Sequence, residues 1–145
     1  MHHHETRVVP YTPDQMFELV ADVARYPEFL PWITAARIKS RSGDVFTADV
    51  LVGFKTFREK FTSRVTLDRP GRAILAEYIE GPFKHLTNRW HFEPADGGCT
   101  VDFDIDFAFK MRLLEQLIGA LFDRAVMKMT DAFEKRAHTL YGAKP

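Results

Sequence analysis

The sequence lacks most of the features that announce a chemistry. It holds a single cysteine, Cys99, which excludes an internal disulfide and suits a reducing compartment. It contains no Cys-x-x-Cys, no Gly-x-Ser-x-Gly, no His-Glu-x-x-His and no Gly-rich phosphate cradle, so no catalytic motif, metal site or cofactor is indicated. It has no excess charge, with 20 Lys and Arg against 20 Asp and Glu. The sustained positive field by which chains bind DNA is therefore missing, and only a local basic patch remains open. No apolar run reaches the roughly 18 residues of a membrane span. The start, Met1-His2-His3-His4-Glu5, has neither the apolar core of a signal peptide nor the Arg/Ser-rich character of a transit peptide. Repeats, linkers and low-complexity segments are absent too.

What is present is aromatic. Thirteen of the 145 residues are phenylalanine, about twice ordinary usage, which fits either a bulky core or a lined cavity. The length suits one domain, expected over residues 5–141. Residues 1–4 read as a His-rich start or tag remnant, too flexible to impose metal geometry, and 142–145 as a tail. A short strand over 5–10 precedes a helix start at Thr12-Pro13-Asp14-Gln15, with Thr12 as N-cap, Pro13 at N1 and Gln15 closing a capping box. Tyr26-Pro27-Glu28-Phe29-Leu30-Pro31-Trp32 predicts a short helical turn or bent loop.

From residue 33 the period becomes two, and turn signals divide the chain into strands near 33–42, 45–53, 56–68, 72–80, 84–94 and 99–109. In the last, Val101, Phe103, Ile105, Phe107 and Phe109 alternate with polar residues, so one face is buried and the other wet. Asp102, Asp104 and Asp106 on the wet face read as a charge ladder, with Arg7, Arg89 and His91 as candidate partners. From Met111 to about Tyr141 the period is 3.6, and Leu114, Leu117, Ile118, Leu121, Ala125, Met129, Ala132 and Phe133 form an apolar stripe. The expectation is one long helix across an antiparallel sheet that curls around it, an α+β fold with room for a ligand between the layers.

Two polar residues share the buried phase of their strands. Glu59 lies in step with Phe57 and Phe61, and Asn88 with Leu86, Trp90 and Phe92. Buried, such groups need each other, backbone, water or a ligand's polar head. A bulge or a wet cavity mouth would equally accommodate Glu59. Phe29-Leu30-Pro31-Trp32 either plugs the core or forms an entrance.

Four stretches carry a resemblance: Tyr26-x-x-Phe29-x-Pro31-Trp32; Val52-Gly53-Phe54; Gly81-Pro82-Phe83-Lys84-x-Leu86-x-Asn88-x-Trp90-x-Phe92; and Val101-Asp102-Phe103-x-Ile105-x-Phe107-x-Phe109. Together they resemble the coenzyme Q-binding branch of the START-like (polyketide cyclase/dehydrase) superfamily. The resemblance implies the helix-grip fold, with about seven strands, and the binding of ubiquinone or a related quinone as a carrier rather than turnover. It also implies tunnel roles for Phe29, Pro31 and Trp90 and, less directly, Leu51. Trp32, Phe54, Glu59, Phe61, Asn88, Phe107, Leu117 and Leu121 complete the candidate ligand site, with Asn88 and Trp90 as donors to quinone oxygens. Bacterial members include ribosome association toxins, so a ribosome-directed role is the alternative, with Arg58, Lys60 and Arg64 as its basic patch. A cyclase-type enzyme using Glu59 or a tyrosine is a further alternative. The implied location is the cytoplasm, or the inner face of the cytoplasmic membrane as a peripheral contact.

Overall fold

The computed structural model describes residues 1–54 and 57–142. Seven strands form one antiparallel sheet: β1 (His2–Val9), β2 (Ile33–Ser42), β3 (Val45–Phe54), β4 (Phe57–Asp68), β5 (Ala73–Glu80), β6 (Phe83–Ala95) and β7 (Gly98–Phe109). Their order is β1-β7-β6-β5-β4-β3-β2, so all neighbours except β1 and β7 are consecutive in sequence. Among the described residues three α-helices accompany them: α1 (Pro13–Ala21), α2 (Arg112–Gly119) and α3 (Phe122–Tyr141). A 3-10 helix spans Val23–Glu28. The helix-grip architecture and every expected strand are present. The expected start of the fourth strand at residue 56, and the tail beyond 142, lie outside the described residues.

α1 begins as its sequence dictates. The Thr12 hydroxyl accepts from Gln15 N at 3.1 Å, and Thr12 N donates to Gln15 Oε1 at 2.9 Å, closing the capping box. Met16, Phe17, Leu19 and Val20 pack this helix onto the sheet.

Three expectations need correction. The first strand starts at His2, not at residue 5, because the histidines pair in register with β7: His2 opposes Asp106 and His4 opposes Asp104. The His tract is therefore ordered sheet. Alternation sends His2, His4 and Thr6 to the outer face and His3, Glu5, Arg7 and Val9 inward. The carboxylate ladder is consequently filled by His2 to Asp104 (2.8 Å), His4 to Asp102 (2.8 Å), Thr6 to Asp102 (3.0 Å) and His85 to Asp106 (3.3 Å). Arg7 points the other way and ties β1 to α3 through Asp131 and Glu134, both at 3.0 Å.

The C-terminal helix is also two helices. The chain leaves regular helix at Ala120 and Leu121, directly after Gly119, a residue that weakens a helix by about 1 kcal/mol relative to Ala. The buried stripe runs through Phe122, Val126, Thr130, Phe133 and Ala137, the i, i+4 row one step away from Leu117, Leu121 and Ala125. α2 has no buried residue.

The interior has a closed end and an open end. At the closed end Trp90 packs against Phe103 (4.7 Å), Phe133 (5.0 Å) and Phe92 (6.0 Å). Tyr26 and Phe29 join Phe133, each at 5.4 Å. Cys99 is fully buried, and burial pushes its thiol up to about 11. The open end lies beneath α2 and the start of α3.

Candidate functional site

A cavity of about 200 Å³ occupies the open end, between β3, β4, β6 and β7 on one side and the α2–α3 junction on the other. Phenylalanines make its floor. Phe83 stacks on Phe109 at 4.9 Å and meets Phe61 edge-on at 5.4 Å, while Phe107 meets Phe122 of α3 at 5.1 Å. Ile118, Leu121, Ala125, Val126 and Met129 form the roof. Pro31, Trp32 and Ile33 form the rim, where Trp32 meets Phe54 at 5.6 Å. The exposed wall is entirely apolar.

Local sequence explains why the rim stands where it does. Trp32 adopts a positive φ of 68°, which turns the chain out of the proline-bracketed loop, and its carbonyl accepts from Gly53 N at 2.8 Å. The loop is thus pinned to the end of β3. Across the opening, Gly81 (φ 141°) makes the β5–β6 turn so close to β4 that a Cβ there would lie 2.7 Å from Phe61 Cβ. Only glycine lets that turn and Phe61 meet at the floor.

Seven of the expected site residues line this cavity: Pro31, Trp32, Phe54, Glu59, Phe61, Phe107 and Leu121. Glu59 is on the inward side, as its phase predicts, yet it is solvent-exposed because β4 there runs past the cover of the helices. The wet-mouth alternative is the one the structure takes, and Glu59 is the one ionisable side chain among the described lining residues.

The other five lie elsewhere. Trp90, 5% exposed, is a core residue at the closed end. Its Nε1 donates to Asn88 Oδ1 at 2.9 Å, and Asn88 Nδ2 donates to the Asp104 carbonyl at 2.9 Å. The indole N–H is used within the pair, Asn88 is anchored to the β7 backbone, and neither side chain lines the cavity. Phe29 plugs the core beneath Arg136, whose guanidinium sits 5.1 Å over its ring. Leu51 and Leu117, 41% and 51% exposed, face solvent on β3 and α2.

Sequence reasoning missed Phe83, Phe109, Ile118, Phe122, Ala125 and Met129 as lining residues. The signal for the last four was two adjacent i, i+4 rows, Ile118–Phe122 and Ala125–Met129, that together make a broad apolar stripe. The signal for Phe83 and Phe109 was their cross-strand pairing, which places both rings at one level of the sheet.

Electrostatic ties hold α3 over the cavity. His3 Nδ1 lies 3.1 Å from Asp123 and His3 Nε2 lies 3.0 Å from Glu5, and the ring packs edge-on to Phe122 at 6.2 Å. Burial pulls the His3 pKa down, but the hydrogen bonds to Asp123 and Glu5 outweigh it and leave the pKa above the ordinary value. Burial likewise opposes ionisation of Glu5, yet its bonds to Arg7, His3 and Thr130 hold its pKa below the usual carboxylate range. On the outer face of the sheet, Asp49 is kept ionised chiefly by the Thr62 hydroxyl at 2.6 Å, with Lys39, Lys60 and Arg37 adding to it.

Known proteins share this sequence and shape. A ribosome association toxin, RatA, of Rickettsia prowazekii is 39% identical over 135 residues, covering 91% of this chain and 92% of its own. The mitochondrial coenzyme Q-binding protein COQ10 homolog B of Xenopus laevis is 35% identical over 143 residues, covering 95% of this chain and 58% of its own. An 18 kDa protein of Caulobacter crescentus with a solution structure is 47% identical and superposes with a TM-score of 0.80, covering 99% of each chain. Residues 9–134 match the family described as polyketide cyclase / dehydrase and lipid transport, and the chain belongs to that START-like family.

Proposed function

We propose that the protein binds a prenylated quinone, ubiquinone or a close relative, and acts as its carrier in support of respiration and quinone biosynthesis. The observation that carries this reading is the apolar cavity under α2, floored by Phe61, Phe83, Phe107 and Phe109. Its wall exposes no polar atom, so a quinone ring placed deep inside would leave its carbonyls unpaired at a cost of roughly 1–3 kcal/mol. An isoprenoid tail gains about 0.8 kcal/mol per buried CH₂ in the same place. The tail therefore enters first and the ring stays at the mouth, beside Glu59 and water. A void of about 150 Å³ suffices for benzene, whereas drug-sized ligands occupy roughly 300–1,000 Å³. The cavity of about 200 Å³ thus takes the end of a tail as it stands, and a longer stretch enters as the loosely packed α2 shifts.

Purification of the full chain from a host that makes ubiquinone, followed by mass spectrometry of a solvent extract, tests this reading. Copurifying quinone is the expected result. Extracts as free of quinone as those from a strain unable to make it would overturn it.

A second reading has its own observation. Arg37, Lys39, Arg58, Lys60 and Arg64 share the outer face of β2–β4, where Arg37 and Lys39 lie 3.9 and 4.0 Å from Asp49 and Arg64 lies 3.9 Å from Glu77 of β5. This basic stripe suits a polyanion such as ribosomal RNA, and it accords with what the RatA relatives are named for. Cosedimentation with ribosomal subunits, abolished by Lys60→Glu with Arg64→Glu, is its test.

A further inference from the structure

We propose that the surface formed by residues 110–121 is a docking site for an anionic lipid bilayer, with α2 lying along the headgroup layer and delivering the cavity mouth to it. The purpose of this contact rests on the carrier reading, but the contact itself is argued from the surface alone. Leu113, Leu114, Leu117 and Ile118 make up half of α2, and none of them is buried. Met111, Leu113, Leu117 and Leu121 are 57%, 64%, 51% and 37% exposed. Large apolar side chains scattered singly need no explanation, but four within eleven consecutive residues, on α2 and at its two ends, form a patch. Against the interior α2 is held lightly: Leu114 and Ile118 are only partly covered, and Gly119 has open space where a side chain would be.

Charge identifies what covers the patch. Lys110 and Arg112 flank it, and Lys84 stands in the bulge beside the Phe83–Phe109 pair that precedes Lys110. None of the three has a carboxylate within ion-pair distance among the described residues. The one acid of the segment, Glu115, is turned back to accept from Phe109 N at 2.8 Å. Within residues 110–121 the outward charge is therefore positive around an apolar centre, the pattern of a helix that rests in an anionic interface, while Asp123 just beyond is tied to His3. A second copy fits less well, because the same surface on it offers no free acid to meet Lys110 and Arg112, Glu115 being engaged by Phe109 N. Eight residues give a rod of about 12 Å, enough to lie in the interface, and no described helix is long and apolar enough to cross it. The roof residues Ile118 and Leu121 belong to this same segment, so a movement of α2 on the bilayer opens the cavity toward the acyl chains and away from water.

Vesicle flotation with the purified full chain tests the proposal. Vesicles containing phosphatidylglycerol should carry the protein up, vesicles of phosphatidylcholine alone should carry less, and added salt should reduce the difference. Leu113→Glu and Leu117→Glu, at exposed positions outside the cavity wall, should lower partitioning by roughly tenfold or more while leaving the circular dichroism unchanged. Lys110→Glu with Arg112→Glu should remove the preference for anionic lipid. Val8→Glu, an equally exposed apolar site on the edge strand β1 (64%), should have no effect. Undiminished flotation of the leucine variants, absence of flotation with anionic vesicles, or a dimer that Leu117→Glu dissolves would overturn the proposal. Extracted quinone without flotation would sink the docking surface and leave the carrier reading standing. Flotation by a protein that never holds quinone would do the reverse.

Discussion

Trp90 and Asn88 are closed on each other, with the indole N–H donating to the amide oxygen at 2.9 Å and the amide nitrogen donating to the Asp104 carbonyl. That relationship reassigns both residues. A tryptophan whose polar handle is already engaged, and whose ring touches Phe92, Phe103 and Phe133, is a structural centre rather than a cargo contact. Trp90→Ala should therefore destabilise the fold by about 3–5 kcal/mol, since transfer and cavity terms add at a closed site. Urea unfolding measures that loss, and extraction measures quinone per folded molecule, which should stay near normal. A small loss of stability with an empty protein would return Trp90 to the ligand site.

Ala125 offers the converse experiment. It sits in the roof of the cavity, so Ala125→Phe fills the void without removing a native contact. Cavity filling of this kind typically adds about 0.5–2 kcal/mol. The expected variant melts at the same or higher temperature and carries little extractable quinone. Wild-type quinone content would mean that the ligand lies elsewhere.

Glu59 is exposed at the mouth and makes no ion pair among the described residues. Glu59→Gln should alter stability by no more than about 0.5 kcal/mol, as for other surface sites. A loss of several kcal/mol in chemical denaturation would instead identify a paired, buried carboxylate.

His3 makes the tie between β1 and α3 sensitive to pH. Its folded pKa is raised above the ordinary 6.5 by Asp123 and Glu5, net of burial, so the folded state holds the proton more tightly than the unfolded chain. The stabilisation is complete below 6.5 and disappears as pH rises through the folded value. Glu5, whose pKa is lowered, loses its share at the other end, as pH falls below its ordinary 4.5. Between about pH 6 and about pH 8 the melting temperature of the wild type should fall relative to His3→Gln. Parallel curves for the two proteins across that range would remove His3 from the account.

The fold was largely legible because its signals are local. Thr12 and Gln15 close their capping box within one turn, the Gly81-Pro82 and Asp96-Gly97-Gly98 turns punctuate the strands, and Val101 to Phe109 alternate without interruption. The rim of the cavity was legible for a similar reason, since Pro31, Trp32 and Phe54 stand at positions where the chain must turn. Glu59 could be placed on the inward side by phase, but phase is silent on whether the helices reach far enough to cover it.

By itself the sequence determined the order of elements, the face each strand buries and the aromatic character of the interior, because propensity, turn chemistry and period act between residues close in the chain. Only the tertiary structure decided which aromatic residues close on one another and which line a void. Trp90 and Phe83 share a strand, and by period alone they would face opposite sides; the bulge after Phe83 brings both inward, where α3 seats Phe133 on Trp90 and leaves a gap above Phe83. The break after Gly119 was decided there too. α3 keeps its apolar row against the curved sheet, whereas over residues 112–119 only Leu114 and Ile118 reach the core, and Leu113 and Leu117 are left exposed.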